Sequence, residues 1–108
     1  MRAAPWQARA YGSLTTQLLV SAANVVPKPA SVSFEAAGGL GVAAQTAMGA
    51  LRRVKGGAGD VIVVAAAAGG VGGLVTQLAH ARGATVIGIA SPSNADYLRS
   101  LGAIPVSY

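Results

Sequence analysis

The sequence predicts an α/β fold in which a parallel sheet is wound with helices, and three observations carry that prediction. Val61-Ile62-Val63-Val64-Ala65 is a run of strand formers that enters a turn made only of Ala and Gly, Ala66 to Gly70. The spacing then turns helical over 70–82, with Val71, Leu74, Val75 and Leu78 at i, i+3, i+4 and i+7. The alternation repeats. Thr85 to Ala90 is almost continuously apolar, as a strand covered on both faces should be, and Ile104 to Tyr108 begins a third strand. The reading is one βαβαβ unit.

Each remaining segment has its own signal. Met1 to Gly12 shows no period, whereas Ser13 to Val20 reads as a strand and Asn24-Val25-Val26 as a second short extended piece. Pro27-Lys28-Pro29 enforces an extended connection. Ser33 is an N-cap for a helical turn over 34–37, which Gly38, Gly39 and Gly41 are expected to interrupt. Helix resumes over 42–54 with Ala43, Ala47, Met48 and Leu51 on one face, and 55–59 is a flexible connection. Gly83 stops the helix begun at Gly70. Ser91-Pro92, or Ser93 in a capping box with Asp96, opens the next helix; Tyr97, Leu98 and Leu101 form its buried stripe and Gly102 ends it.

Composition narrows the function. The 108 residues make one domain at most, 53% hydrophobic and only 10% charged, which argues against disorder. The formal charge of +5 is scattered, and the one cluster, Arg52-Arg53-Val54-Lys55, reads as a solvated helix end that favours the helix dipole rather than a nucleic-acid surface. No cysteine is present, so disulfides, thiolate metal sites and a Cys nucleophile are excluded. His80 stands alone off the apolar face, as a solvated residue and not a metal ligand. Val61 to Ala79 is a 19-residue uncharged run with a Gly69-x-x-x-Gly73 spacing, which raises a small membrane protein as an alternative. The strand formers, four glycines, Thr76 and Gln77 inside it argue against that alternative, and the N-terminus lacks the apolar run of a signal peptide. A cytoplasmic protein is expected.

The glycine turn is where chemistry enters. Gly69, Gly70 and Gly72 give the backbone room to approach a diphosphate, and the following helix aims N–H groups at it, those of Gly70 and Val71 foremost. Ala68 to Gly72 form the candidate cradle. A carboxylate near the end of the second strand normally grips a ribose 2′-hydroxyl and repels a 2′-phosphate. Here Ser91 stands at that place and no acid occurs between Asp60 and Asp96, which favours NADP(H) over NAD(H).

The ordered series Val26-Pro27-Lys28-Pro29, Ser33 to Ala37, Thr46-Ala47, Gly59 to Val63, Ala66 to Gly72, Gln77 to Ala79, Gly83 to Gly88 and Leu98 to Ala103 resembles the medium-chain dehydrogenase/reductase superfamily, in its zinc-independent quinone oxidoreductase-like branch. The resemblance spans 13–108. It implies a Rossmann-type doubly wound parallel sheet, incomplete here, preceded by the tail of a β-rich GroES-like catalytic domain: residues 1–32 belong to the tail and linker, 33–108 to the front half of the dinucleotide-binding domain. Two departures are Ala66, where the family usually has Gly, and Gly41, where it often has Pro.

The implied activity is NADPH-dependent hydride transfer to a quinone, enone or related carbonyl compound, in a protein compatible with a homodimer and with no nucleic-acid or membrane partner. Asn94 stands near where relatives place a phosphate-binding Lys, and Tyr108 resembles their phosphate-contacting Tyr, offset by about one position. Helix capping for Asn94 and edge packing for Tyr108 serve as well. Thr46 falls on a helix that passes the nicotinamide in the family, although its hydroxyl is equally served by the backbone. Catalytic residues are not assigned, and the substrate site is implied to lie outside this stretch. Alone, the 108-residue chain is therefore expected to show no appreciable turnover. A non-catalytic nucleotide-binding module is the alternative.

Overall fold

The computed structural model describes residues 14–108; the aperiodic stretch 1–12, and Ser13, lie outside them. Three strands, Val61–Ala65 (β1), Thr85–Ala90 (β2) and Ala103–Ser107 (β3), form a parallel sheet in the order β1-β2-β3. Ala65 lies opposite Ile89 and Ala90 opposite Ser107, so the three carboxyl ends lie together at one end of the sheet. The helices are Phe34–Val54 (α1), Gly70–Ala81 (α2) and Ala95–Ser100 (α3).

The uncharged run 61–79 is therefore a strand, a turn and part of a helix, and not one membrane span. Among the described residues no helix is long and apolar enough to cross a membrane. Of the strand expected over 13–20, the described part, Leu14 to Val20, is not a strand and exposes Leu14 and Leu19. Among the described residues no strand lies beside it, and the Thr15 hydroxyl instead donates to the Gln17 carbonyl at 2.9 Å.

The expected break at Gly38, Gly39 and Gly41 does not occur. Helix α1 runs through all three as 21 continuous residues. Each glycine costs about 1 kcal/mol relative to Ala, yet it keeps its N–H and so leaves the hydrogen-bond ladder whole. The start is secured by Ser33, whose hydroxyl accepts from the Ala36 N–H at 3.1 Å. A hydrogen bond from its own backbone, then one from Ser33, hold the Glu35 carboxyl below its usual range. Before the cap, Lys28 lies 4.8 Å above the Phe34 ring and donates to the carbonyls of Pro29 and Val32, which ties the proline linker to the helix.

Alanines dominate the core. Ala47, Ala67, Ala79, Ala84, Ala90 and Ala103 are buried beside Leu51, Val64, Val86 and Leu98. The buried line of α2 is Gly73, Thr76 and Ala79, whereas the apolar stripe of the sequence flanks it: Val75 and Leu78 are half-buried and Val71 is exposed. At Gly73 the approach is close: an added Cβ would stand 3.2 Å from the Tyr97 hydroxyl. Met48 on α1 and Tyr97 on α3 are likewise more exposed than their periodicity suggests, while Ala47, Leu51 and Leu98 are buried as expected. His80, though exposed, carries its ring against Gly102, where an added Cβ would lie 2.5 Å from the ring. Gly83 and Gly102 adopt positive φ and close their helices.

Candidate functional site

The site is built at the carboxyl end of the sheet. From Ala65 the chain enters the turn through Ala66, whose φ of 52° is left-handed, a conformation that disfavours a side chain. The turn is held by two backbone bonds: Ala67 N–H donates to Ile89 at 3.0 Å and Gly69 N–H to Ala66 at 2.9 Å. Ala67 is fully buried and Ala68 packs against the core, so the turn has its back to the protein.

The three glycines have different duties. A Cβ on Gly72 would stand 2.2 Å from the Ala66 carbonyl oxygen and 2.9 Å from the Ala67 Cα, so helix and turn touch through main chain. A Cβ on Gly69 would crowd the same oxygen at 3.3 Å. At Gly70 a Cβ would meet nothing within 4 Å. Gly70 faces open space.

Helix α2 begins at Gly70 with Gly69 as its cap, and Gly73 is the first residue to donate back, to Gly69 at 2.7 Å. Among the described residues the N–H groups of Gly70, Val71 and Gly72 find no protein acceptor. Three aligned donors at the positive end of a 12-residue helix, beside an open glycine, form a cradle suited to an anionic oxygen cluster.

The second half of the site stands at the ends of β2 and β3. Because Ala90 lies opposite Ser107, the next residues, Ser91 and Tyr108, leave the sheet side by side. The helix cap differs from the capping-box expectation. A 3-10 turn over Pro92–Asn94, preceded by Ser91, leads into α3, and neither Ser93 nor Asn94 caps it with a side chain. Pro92 fixes the turn, and Asn94 Nδ2 donates to the Ser91 hydroxyl at 2.8 Å, with the Ser93 hydroxyl 3.2 Å away. Asp96 instead meets Arg99 at 2.6 Å. A pocket of about 170 Å³ opens here, lined by Ser91, Pro92, Ala95, Arg99, Val106 and Ser107 among others. Sequence reasoning missed Arg99, since a lone Arg inside a helix pattern carries no signal until its direction is known.

The candidates thus fall in three places. Ala68, Gly69, Gly70, Val71 and Gly72 line the turn and the start of α2; Ser91 and Asn94 are bonded to each other after β2, and Tyr108 follows the end of β3 with its side chain exposed. Thr46 lies on α1 with its hydroxyl donated to Val42 at 2.8 Å, the backbone-satisfied arrangement. The carboxylates of Glu35 and Asp60 lie elsewhere, at the start of α1 and before β1, so Asp96 is the acid nearest the pocket by sequence and fold. Among the described residues no three His, Cys, Asp or Glu side chains gather as metal ligands.

No protein-family model matches the chain. Individual relatives do. It is 42% identical over 95 residues to the NADPH-dependent alkenal/one oxidoreductase of Arabidopsis thaliana, a match that covers 86% of this chain and 25% of that protein. The quinone oxidoreductase of Coxiella burnetii superposes with a TM-score of 0.71 at 41% identity, covering 77% of this chain and 26% of that one. The quinone oxidoreductase of Thermus thermophilus, solved also in complex with NADPH, gives 0.69 at 35% identity over 76% and 28%. The chain spans about a quarter of the length of the curated relatives it matches.

Proposed function

This chain belongs to the medium-chain dehydrogenase/reductase superfamily, in its quinone oxidoreductase-like branch, and on that premise we propose that it is the cofactor-holding segment of an NADPH-dependent reductase of quinones, enones or related carbonyl compounds. One observation carries the reading: the N–H groups of Gly70, Val71 and Gly72 converge unpaired at the start of α2, with open space at Gly70. A pyrophosphate placed there satisfies all three donors and lies on the positive end of the helix dipole. The adenosine then runs across the sheet toward β3, about 5 Å per strand, to Ser91, Asn94 and Tyr108. These side chains offer a hydroxyl, an amide and a phenol to a 2′-phosphate, and no carboxylate occupies the end of β2 to grip a free 2′-hydroxyl. The cited relatives named for NADPH support the same choice.

When bound, the reduced nicotinamide supplies the hydride. The residues of this chain bind and orient: the turn fixes the pyrophosphate and the β2 and β3 ends fix the adenosine. Residues 33–108 form the front half of the cofactor domain in this reading, and 1–32 the end of the domain before it.

The test is titration with NADPH and NADH of the parent chain and of Ser91→Asp. A partly screened like-charge contact is worth on the order of 1–3 kcal/mol, or roughly ten- to hundredfold in affinity. The parent is expected to prefer NADPH, and the variant to lose that preference. A parent that binds NADH more tightly, or a variant with the same ratio, means the ribose is misplaced.

A further inference from the structure

Arg99 follows from the direction of one side chain. Although it sits in the last turn of α3, its guanidinium leans back toward the helix start, the usual direction for a long helical side chain, and meets Asp96 Oδ1 at 2.6 Å. Arg99 is also one of the residues that line the pocket whose other walls include Ser91, Pro92 and Ser107. No other Lys or Arg among the described residues lines that pocket. Arg52, Arg53 and Lys55 close α1, Arg82 follows α2 at the opposite end of the sheet, and Lys28 is tied to Pro29 and Val32.

The pocket's polar groups are otherwise neutral, and they bind one another. Ser91 accepts from Asn94 and lies beside Ser93. A dianion there gains hydrogen bonds but no compensating charge unless Arg99 turns to it. Arg99 is free to do so. Its side chain is 60% exposed and that of Asp96 99%, and ion pairs so exposed hold weakly. The planar fork of a guanidinium suits a phosphate better than a single carboxylate oxygen.

We propose that Arg99 is the specificity-determining cation for a 2′-phosphorylated adenosine, parked on Asp96 in the ligand-free protein and exchanged onto the phosphate on binding. The inference rests on the reading that the pocket beside Ser91 takes the adenosine ribose. Asp96 then has two effects. It holds the guanidinium on the exposed side of α3 beside the pocket, and it competes for it, so its charge weakens phosphate binding.

The experiment is calorimetric titration of the 108-residue chain with adenosine 2′,5′-bisphosphate and adenosine 5′-monophosphate, repeated on Arg99→Ala, Arg99→Lys and Asp96→Asn, with circular dichroism checking the fold of each. The parent is expected to favour the bisphosphate. Arg99→Ala loses about tenfold or more of bisphosphate affinity with the monophosphate unchanged, Arg99→Lys recovers part of it, and Asp96→Asn tightens the bisphosphate severalfold. A parent that prefers the bisphosphate while Arg99→Ala keeps the same preference overturns the role of Arg99 and leaves the cofactor reading standing. Equal losses for both ligands in Arg99→Ala overturn it too, because they mark a merely structural residue. A parent that binds the monophosphate at least as tightly, or binds neither ligand, overturns the cofactor reading and the inference with it.

Discussion

Replacing Gly72 and Gly70 by alanine, one at a time, separates a glycine that the fold needs small from one that a ligand needs small. In Gly72→Ala the new methyl would stand 2.2 Å from the Ala66 carbonyl oxygen and 2.9 Å from both the Ala66 carbonyl carbon and the Ala67 Cα. All three neighbours are main chain, so no rotamer change relieves the clash. The helix start and the turn must part by roughly an ångström to restore ordinary contact, and overpacking of this kind costs about 1–3 kcal/mol or more. Against a total stability of roughly 5–15 kcal/mol, that lowers the melting temperature by about 5–20 °C. In Gly70→Ala the methyl meets nothing within 4 Å, and fewer unfolded conformations stabilise the protein by about 0.4–1 kcal/mol. That methyl stands where the anion would sit, so NADPH affinity should fall at least about tenfold, some 1.4 kcal/mol, while the melting temperature holds or rises. Thermal melts followed by circular dichroism, with parallel NADPH titrations, read both quantities. The reasoning is refuted if Gly72→Ala melts with the parent, or if Gly70→Ala loses as much stability as Gly72→Ala.

Ala66→Gly should stabilise the protein: it relieves a left-handed Ala costing about 1–2 kcal/mol, offset by about 0.4–1 kcal/mol of added freedom in the unfolded chain. A net gain of about 0.5–1 kcal/mol raises the melting temperature by a few degrees, and a lower value would contradict the assignment of strain. Ser33→Ala removes the α1 cap and should cost about 1 kcal/mol by urea titration. The same variant should move the Glu35 titration, followed by NMR, back up toward the ordinary carboxylate range, because the Ser33 hydroxyl is one of the two groups that lower it. The lowered value means that this carboxylate favours folding above its unfolded pKa, a contribution lost as pH falls through the folded value.

Where the sequence carries a strong local code, the structure follows it. Strands β1 and β2 begin and end at the residues their apolar runs predict, and Gly83 and Gly102 close their helices because positive φ admits few alternatives. The close approach of turn and helix is equally legible at Gly72, where a side chain would meet main chain. The misreadings share another cause. The glycines of α1 act as breakers only where nothing else favours helix, and here the Ser33 cap and the packing of Ala47 and Leu51 outweigh them. Hydrophobicity alone predicts the stripe on α2, whereas close approach selects by size, burying Gly73, Thr76 and Ala79. Residues 14–20 have strand propensity, but among the described residues no strand lies beside them, and propensity alone builds no sheet. Arg99 gives no sequence signal because its place depends on a side-chain direction.

An alanine core sets distances in a way that larger side chains do not. Leucine or methionine between two elements acts as a deformable spacer, able to change rotamer when a neighbour grows. Between methyl groups there is no slack: a Cβ on Gly88 would already press the Ala67 Cβ at 3.1 Å. Ala67 belongs to the turn itself. A volume change in the middle of β2 would therefore travel through rigid contacts to the main chain that aims Gly70, Val71 and Gly72, shifting three donors together. Enlarging residue 88 is therefore expected to shift the Gly70, Val71 and Gly72 N–H groups together, and with them the anion site proposed above.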